Sequence, residues 1–387
     1  MRIGIDYTAA THQQAGIGRY TRGLVVALAQ QNTEDEFVLL VTGGRSDRAG
    51  PQTQQLESVL PGSFRIRRAP LSERVWTILW HRLRLPIPVD LFTGPVDVFH
   101  SPDYVLPPLR QGKTVVTIHD LSFLRYPEGA EPKLRRYLSS VVPRAVSRAD
   151  LVLGDSENTR NDIIELLGVP PGKVEVLHPG VDEIFRVVED ERVLTEVSSL
   201  HGLDFPFILA VGTVEPRKNL ILLLDAYAAL RKASDVPHKL VIAGGKGWLY
   251  EGVFRRVEEL SLDEDVIFLG FVADQNLPAL YSLADVFVFP SLYEGFGLPP
   301  LEAMACGTPV ITSRTSSLPE VVDEAGLMVP ANDPDMLAET IGRVLNDPGL
   351  GEDLAKRGVS QARKFTWQAT GEKLLAIYQR LLEEGAG

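Results

Sequence analysis

Cysteine is almost absent from this 387-residue chain, and its single copy, Cys306, excludes an internal disulfide and a cysteine-rich metal site. A reducing compartment follows, so we predict a cytoplasmic protein. The seven histidines are scattered and lack the paired spacing of zinc ligands. We find no apolar run of about 18 residues or more, so we expect no membrane span.

Positive charge is also in deficit. The chain has 39 Lys and Arg against 51 Asp and Glu, a net charge of −12. This balance predicts no nucleic-acid partner, because such binding requires a basic face, although a local basic groove for phosphates is compatible with it. The first residues, Met1–Asp6, have the pattern of a first strand and not of a signal peptide.

The length exceeds one ordinary core, so two domains are expected. Short apolar runs alternate with amphipathic stretches throughout. The predicted strands are 2–5, 37–42, 96–100, 114–119, 151–154 and 174–177, then 207–211, 239–243, 266–268, 286–289 and 309–311. The predicted helices are 18–30, 133–148, 156–167, 219–232, 250–260, 275–282, 298–305, 333–346, 350–364 and 366–384. This alternation predicts an α/β fold of two doubly wound parallel-sheet domains.

The pattern lapses near residues 180–200, where we expect a linker. We therefore predict an N-terminal domain at 1–185, a C-terminal domain at 186–365, and a final segment, 366–387, that packs back on the first domain. In open parallel sheets, ligands bind beyond the carboxyl ends of the strands. The loops that directly follow predicted strands are therefore the candidates for function.

The most informative loop lies between strand 286–289 and helix 298–305. It carries Glu294, followed by Gly295 and Gly297, and Glu302 comes eight positions after the first glutamate. Backbone N–H groups at a helix start suit an anion, and carboxylates accept hydrogen bonds from hydroxyls. The pattern indicates a sugar attached to a nucleotide, whereas solvated surface glutamates are the alternative.

Other strand-end loops carry residues of matching chemistry. Arg217 and Lys218 precede a helix and can clamp a diphosphate, Arg as a planar fork and Lys as a point charge, unless both are simply solvated. Glycines let the backbone approach a phosphate, although such pairs are often turns. The remaining strand-end residues are Gly16 and Gly18, His100–Asp103, His119 and Asp120, Gly244 and Gly245, and Gly270–Val272.

Together these loops resemble the retaining glycosyltransferases of family 4, which have the GT-B architecture of two Rossmann-like domains facing across a cleft. The likeness covers nearly the whole chain. It rests on loops 16–18, 117–120, 178–182, 211–219, 244–245 and 270–271, and above all on 294–302 with 303–310. It implies a nucleoside-diphosphate-sugar donor, a glycan or lipid-linked acceptor, and neither a metal nor another cofactor.

The resemblance also implies roles for single residues. Glu302 would bind the ribose, and Glu294 would bind the transferred sugar. Arg217 and Lys218 would neutralise the departing diphosphate, and how this role is divided between them stays open. The implied catalytic residues are His119, Arg217, Lys218 and Glu294. The implied donor-binding residues are Gly16, Gly18, Thr213, Gly244, Gly245, Phe271, Val272, Gly295, Phe296, Gly297, Leu298 and Glu302. The acceptor residues are Ser101, Tyr104 and Asp120. Many relatives carry Arg where Thr213 stands, which gives weight to Arg217 as its replacement.

The family implies same-face transfer with retention. We see no Asp-x-Asp metal motif, since Asp263–Asp265 has the pattern of a surface turn, and no obvious carboxylate nucleophile. Segment 213–219 resembles mannosyltransferases of polysaccharide and glycolipid assembly, which favours GDP-mannose over UDP-glucose or another hexose donor. The competing interpretations are a sugar-nucleotide epimerase, a phosphorylase, a dehydrogenase and a scaffold without catalysis.

One segment bears on the acceptor. Residues 74–85 are basic and aromatic, and helical spacing would place Trp76, Trp80 and Leu83 on one face. Such a helix can lie on an anionic membrane surface, which would suit a lipid-linked acceptor. The alternative is a helix that faces the core and leaves its arginines in solvent.

Overall fold

The computed structural model describes residues 1–12, 16–31, 33–43 and 60–384. The chain forms two compact units. The first comprises Met1–Arg125, Pro132–Gly180 and Trp367–Gly387, and the second comprises Tyr126–Glu131 and Val181–Thr366. Residues 385–387, the end of the predicted final segment, lie outside the described residues. Residues 181–185 belong with the second unit, because Val181 donates a backbone hydrogen bond to Phe365 and Phe185 enters that unit's core.

The first unit contains a seven-stranded parallel sheet in the order β3-β2-β1-β4-β5-β6-β7 within the described residues. Its strands are β1 (Arg2–Asp6), β2 (Glu36–Thr42), β3 (Phe64–Ala69), β4 (Val98–Ser101), β5 (Lys113–Ile118), β6 (Leu151–Gly154) and β7 (Val174–Val176). The strand order reverses between β1 and β4. That reversal is the point where open α/β sheets bind ligands.

The second unit contains a six-stranded parallel sheet in the order β10-β9-β8-β11-β12-β13. Its strands are β8 (Phe207–Val211), β9 (Lys239–Ala243), β10 (Val266–Gly270), β11 (Val286–Phe289), β12 (Val310–Ser313) and β13 (Leu327–Val329). Here the order reverses between β8 and β11. All eleven predicted strands are confirmed to within about two residues at each end, and β3 and β13 were missed.

Helices cover the sheets. They are α1 (Thr8–His12), α2 (Ile17–Ala29), α3 (Glu73–Trp76), α4 (Asp90–Thr93), α5 (Ser122–Arg125), α6 (Pro132–Arg148), α7 (Glu157–Leu167) and α8 (Glu191–His201). The second unit continues with α9 (Leu220–Ala233), α10 (Glu251–Glu259), α11 (Leu277–Leu283), α12 (Leu298–Ala305), α13 (Leu318–Val322), α14 (Pro334–Asn346) and α15 (Pro348–Ala362). The last helix, α16 (Trp367–Glu383), belongs to the first unit.

Helix ends follow capping chemistry where the sequence predicts it. The Ser156 side chain accepts a hydrogen bond from the Thr159 amide at 3.0 Å and starts α7. The expected linker at 180–200 is corrected, because α8 occupies half of it. Asp190 caps α8 by accepting from the Arg192 amide at 2.9 Å, and Gly202 ends it in a left-handed conformation.

Segment 74–85 also differs from its membrane-facing interpretation. Trp76 and Trp80 are buried, stack with ring centroids 4.3 Å apart, and donate their indole N–H groups to the carbonyls of Pro70 and Ile87. A π-helical stretch, Thr77–Arg82, follows α3 and shifts the side-chain spacing. The two indoles therefore form core, while Leu83 is 61% exposed. Membrane contact through this segment stays a prediction, but Trp76 and Trp80 are not available on the surface to make it.

Across the described ranges, none of the helices combines the length and the apolar character needed to cross a bilayer.

The C-terminal helix packs closely on α2 within the first unit. Leu374, Ile377 and Tyr378 are buried in the core that also contains Leu24 and Leu28. Glycine permits this approach, because a Cβ atom placed on Gly371 would lie 2.9 Å from the carbonyl oxygen of Ala27. A backbone atom cannot move aside as a flexible side chain can.

We expect Gly371→Ala to lower the free energy of unfolding by about 1–2 kcal/mol, because overpacking against backbone outweighs the gain in helix propensity. The matched control is Gly252→Ala in α10, where the nearest atom to the new Cβ, Ile221 Cδ1, is 3.7 Å away. That control should be neutral or slightly stabilising. Thermal unfolding of both variants checks the prediction, which fails if Gly371→Ala is as stable as the control.

Candidate functional site

The second unit places four charged side chains at the reversal between β8 and β11. Arg217 Nη1 donates to Glu294 Oε2 at 2.7 Å, and Lys218 Nζ donates to Glu294 Oε1 at 2.7 Å. Arg217 also donates from Nη2 and Nε to Glu215 Oε1 at 2.8 and 3.1 Å. Two buried carboxylates and two cations therefore form one balanced network.

The loop after β8 is shaped by its own sequence. Pro216 begins a 3-10 turn, Pro216–Lys218, and Asn219 ends it with φ of 56°, a left-handed conformation that Asn tolerates. The Asn219 side-chain amide donates to the carbonyls of Pro290 and Ala331 at 3.1 and 2.8 Å. This anchor ties the cation-bearing loop to the end of β11 and starts α9.

The loop after β11 is fixed by serines and glycine. The Glu294 amide donates to Ser316 Oγ at 2.9 Å, and Ser317 Oγ lies 2.9 and 2.6 Å from the carbonyls of Glu294 and Phe296. Gly297 has φ of 122°, which favours glycine, and precedes α12. The two serine hydroxyls thus fix the backbone at Glu294 and just after it, from which the carboxylate reaches Arg217 and Lys218.

The start of α12 offers fewer donors than the sequence pattern suggests. Pro299 and Pro300 carry no N–H, so two of the usual first-turn donors are missing. The Leu298 amide donates to no group among the described residues. An anion at this terminus would therefore meet Leu298 and the preceding glycine backbone, while the Phe296 ring packs into the core.

Electrostatics keep Glu294 ionised. Burial raises its pKa, but the charges of Arg217 and Lys218 and the hydrogen bond from Lys218 outweigh burial and bring the pKa to about 2. Burial also lowers the pKa of Lys218 from its ordinary value, and Glu294 opposes that shift. The pairing stabilises the folded unit fully at pH values above the ordinary pKa of a glutamate. This stabilisation is lost as the pH falls towards 2.

Glu302 lies on α12, buried, and its Oε2 accepts a hydrogen bond from the Tyr281 hydroxyl at 3.0 Å. Tyr281 is itself fully buried and packs edge-on against Phe287. The two glutamates of the signature therefore have different surroundings: Glu294 is held by cations and Glu302 by a phenol.

Glycines at the ends of β8, β9 and β10 extend the sheet beside this network. The Gly212 amide donates to the Ala243 carbonyl at 2.8 Å, and the Gly244 amide donates to the Gly270 carbonyl at 2.7 Å. A Cβ on Gly244 would lie 1.9 Å from the Gly212 carbonyl oxygen, so only glycine fits there.

Four further predicted donor residues lie on these loops. Gly245 and Thr213 are exposed. The Phe271 side chain is 62% exposed, whereas the neighbouring Val272 is buried in the core and could reach a ligand only through its backbone.

The first unit gathers the remaining predicted residues at the ends of β4 and β5. His119 Nδ1 lies 2.8 Å from Asp155 Oδ2, and Nε2 lies 3.0 Å from the Pro102 carbonyl. The Tyr104 hydroxyl accepts from the Asp120 amide at 3.1 Å, and Asp120 Oδ1 accepts from the Ser122 amide at 2.9 Å.

Other predicted residues of this unit differ in their access to a ligand. Ser101 is fully buried, and its Oγ has no hydrogen-bond partner in the described part of the chain. Gly18 is buried in α2, while Gly16 is exposed at its start with φ of 59°.

Sequence reasoning missed three partners of these groups: Glu215, Tyr281 and Asp155. Asp155 directly follows β6, so the same strand-end rule that selected His119 could have selected it. Tyr281 contacts Glu302 from another helix, and no local sequence pattern predicts that contact. In the described residues, no three His, Cys, Asp or Glu side chains are grouped as a metal site requires. That the reaction needs no metal stays a prediction.

Two parallel-sheet Rossmann-like units, with charged strand-end loops at the reversal of each sheet, define a protein of the GT-B class. The family comparisons agree. Residues 15–184 match the model described as Glycosyltransferase Family 4, and residues 195–365 match Glycosyl transferases group 1. The chain belongs to this glycosyltransferase family.

The relatives and solved structures give the same class. The chain is 32% identical over 371 residues to the O-antigen chain mannosyltransferase B of Escherichia coli, covering 95% of this chain and 96% of that one. Its fold is similar to sucrose-phosphate synthase from Thermosynechococcus elongatus, with a TM-score of 0.77, 24% identity, and coverage of 99% and 100%. It is also similar to Anabaena HepE in complex with UDP-glucose, with a TM-score of 0.72, 17% identity, and coverage of 98% and 99%.

We expect Gly244→Ala to destabilise the second unit by about 1–3 kcal/mol, because the new Cβ would collide with backbone and the residue has a φ of 152°. Gly245→Ala is the matched control, since no atom lies within 4 Å of its added Cβ. Thermal unfolding of the two variants tests this difference. Equal melting temperatures would contradict the packing argument.

Proposed function

We propose that the chain transfers a hexose, mannose, from GDP-mannose to a hydroxyl of a glycan or lipid-linked glycan, with retention of configuration and without a metal ion. The observation that carries the proposal is the Arg217–Lys218–Glu294 network at the β8–β11 reversal. It combines cations that suit a diphosphate with a carboxylate that suits sugar hydroxyls.

The network supports a division of chemical labour. Negative charge grows on the diphosphate as the glycosidic bond breaks, and preorganised cations stabilise that charge. Arg217 and Lys218 are already held in place by Glu215 and Glu294, so little reorganisation is needed when the ligand arrives. We assign Arg217 and Lys218 to the leaving group, and Leu298 contributes its backbone N–H.

Mannose is favoured by one relative. The Escherichia coli relative, which this chain matches over 96% of that protein's length, is named a mannosyltransferase. UDP-glucose is the second candidate, because HepE was solved with that ligand on a similar fold. At 17% identity that likeness concerns the fold alone, so GDP-mannose is the first donor to test.

The acceptor is assigned to the first unit. Tyr104 and Asp120 lie at the carboxyl ends of β4 and β5, near the reversal of that sheet. Ser101 is fully buried and Tyr104 is 8% exposed, so the half-buried Asp120 is the best suited of the three to direct contact. Carboxylate and phenol oxygens suit the hydroxyls of a glycan acceptor.

We expect purified protein to be stabilised against heat by GDP-mannose more than by UDP- or ADP-sugars, since only a ligand of the native state raises the melting temperature. Incubation with GDP-mannose and a mannose-terminated oligosaccharide should then give an α-linked product by NMR, with activity unchanged in EDTA. A β-linked product contradicts retention. If only UDP-glucose raises the melting temperature, UDP-glucose replaces GDP-mannose as the proposed donor. If none of the sugar nucleotides raises it, the proposed function is contradicted.

We expect Glu302→Gln to weaken binding of both GDP and GDP-mannose by roughly 10-fold or more, because a hydrogen bond to a charged group contributes about 1.5–3 kcal/mol. Glu294→Gln should leave GDP affinity unchanged or higher, since it removes a competitor for Arg217 and Lys218, while turnover falls. Calorimetric titration measures both variants.

The control for this pair is Glu339→Gln, which changes an exposed glutamate of α14 in the same unit. It should bind and turn over like the original protein. Equal losses of GDP affinity in the Glu294 and Glu302 variants would contradict the division between sugar and ribose.

A further inference from the structure

His119 has hydrogen-bond acceptors at both ring nitrogens. Nδ1 faces the Asp155 carboxylate at 2.8 Å, and Nε2 faces the Pro102 carbonyl at 3.0 Å. The Pro102 carbonyl can only accept, and so can Asp155 as a carboxylate, so beside an ionised Asp155 each ring nitrogen carries a hydrogen. Burial raises the pKa of Asp155, and the charge of His119 and its hydrogen bond oppose that shift. The geometry therefore favours the imidazolium form of His119, paired with a buried carboxylate.

A second histidine of the same sheet provides an internal contrast. His100 Nδ1 lies 2.6 Å from the Tyr378 hydroxyl, and Nε2 lies 2.8 Å from Thr117 Oγ1. Hydroxyls can donate or accept, so these contacts suit a neutral ring. Burial lowers the pKa of His100 to about 3. Charge at His119 is thus a property of its partners and not of burial in this sheet.

The groups that face His119 come from several elements. Tyr20 of α2 and Tyr104 contact the ring edge-on, with centroids 4.7 and 5.6 Å away. Asp155 and Asp103 supply negative charge, and the charge of His119 in turn helps to lower the pKa of His100 on β4. Burial lowers the pKa of His119, but Asp155, the Pro102 carbonyl and Asp103 together raise it to about 9.

This charged ring joins the ends of three neighbouring strands. Pro102 follows β4, His119 follows β5 and Asp155 follows β6. The loop that His119 holds continues into Tyr104, whose φ of 33° is unusual for a residue other than glycine. Such a backbone persists only where its surroundings fix it. His119 and Asp155 supply such a restraint.

The restrained loop borders the reversal of the first sheet between β1 and β4. Asp103 lies in it, and Asp6 ends β1 on the neighbouring strand. Burial raises the pKa of Asp103 to about 7, and Asp6 and Glu73 act in the same direction against His119. The position of the loop therefore sets the position of a carboxyl group at the expected ligand edge.

We propose that Asp155 is a positioning residue that keeps His119 as an imidazolium, and that this ion pair fixes the Pro102–Tyr104 loop for an acceptor rich in hydroxyls. Both ring nitrogens of His119 have partners within the first unit, and its contact with the donor sugar stays a prediction. The acceptor part rests on the proposed function, whereas the ion pair does not.

The first test is a pH titration of the imidazole resonances of the full-length protein by NMR, with His119 assigned by its absence from His119→Gln. The His119 resonance should titrate near pH 9, and in Asp155→Asn below the ordinary value near 6.5, because burial remains and the counter-charge is lost. A neutral His119 at pH 7 in the original protein overturns the proposal, as does an unchanged titration in Asp155→Asn. If Asp155→Asn does not fold, the titration of the original protein decides.

The second test separates positioning from general structure. In Asp155→Asn, kcat/KM for the acceptor should fall roughly 10- to 100-fold through misplacement of the loop, with the affinity for GDP unchanged. In the original protein, this kcat/KM should decline as the pH rises through about 9, and the decline should move to lower pH in the variant. Asp162→Asn, which removes another buried carboxylate from an ion pair with Arg125, is the control and should keep the original pH profile.

The two tests fail separately. A chain that transfers no sugar but shows the expected His119 titrations keeps the ion pair and loses the proposed function. A transferase whose acceptor kcat/KM and pH profile are the same in Asp155→Asn loses the positioning role.

Discussion

A buried carboxylate needs a counter-charge, and the second unit is organised around supplying one to Glu294. Its two oxygens each accept from a different cation, and Glu215 balances the remaining charge on Arg217. Removing one member would leave a buried charge without its partner, which costs several kcal/mol. The network therefore requires the β8 and β11 loops to meet, and the direct pairing of those two strands places them side by side.

The first unit solves the same problem with a smaller pair. His119 and Asp155 lie at the ends of β5 and β6, and their charges compensate each other beside the reversal of the sheet. In both units the sheet fixes the strand ends, and a buried ion pair then fixes the loops that follow them. In each unit a charged side chain thus links loops that follow different strands.

The sequence predicted the central strands well because parallel strands buried on both faces are continuous apolar runs. It missed β3, where Arg65, Arg67 and Arg68 interrupt the pattern at an exposed edge. The site residues were predictable from their position after strands, but their partners were not. Tyr281 and Asp155 reach Glu302 and His119 through tertiary packing, which has no local signature. For Trp76 and Trp80 the sequence left two interpretations open, since an amphipathic spacing does not say whether its aromatic face meets protein or lipid, and the structure supports the core-facing one.

The charge of the chain is divided unevenly between its units. The second has 16 Lys and Arg against 31 Asp and Glu, a net −15, whereas the first has 23 against 20, a net +3. An anionic ligand of the second unit therefore approaches a repulsive surface. Exposed charges are screened beyond about 8 Å at physiological ionic strength, but buried pairs are screened much less. Arg217 and Lys218 can act against the overall charge because they are largely shielded from solvent and paired. The local network and not the net charge therefore determines which anion the unit can hold.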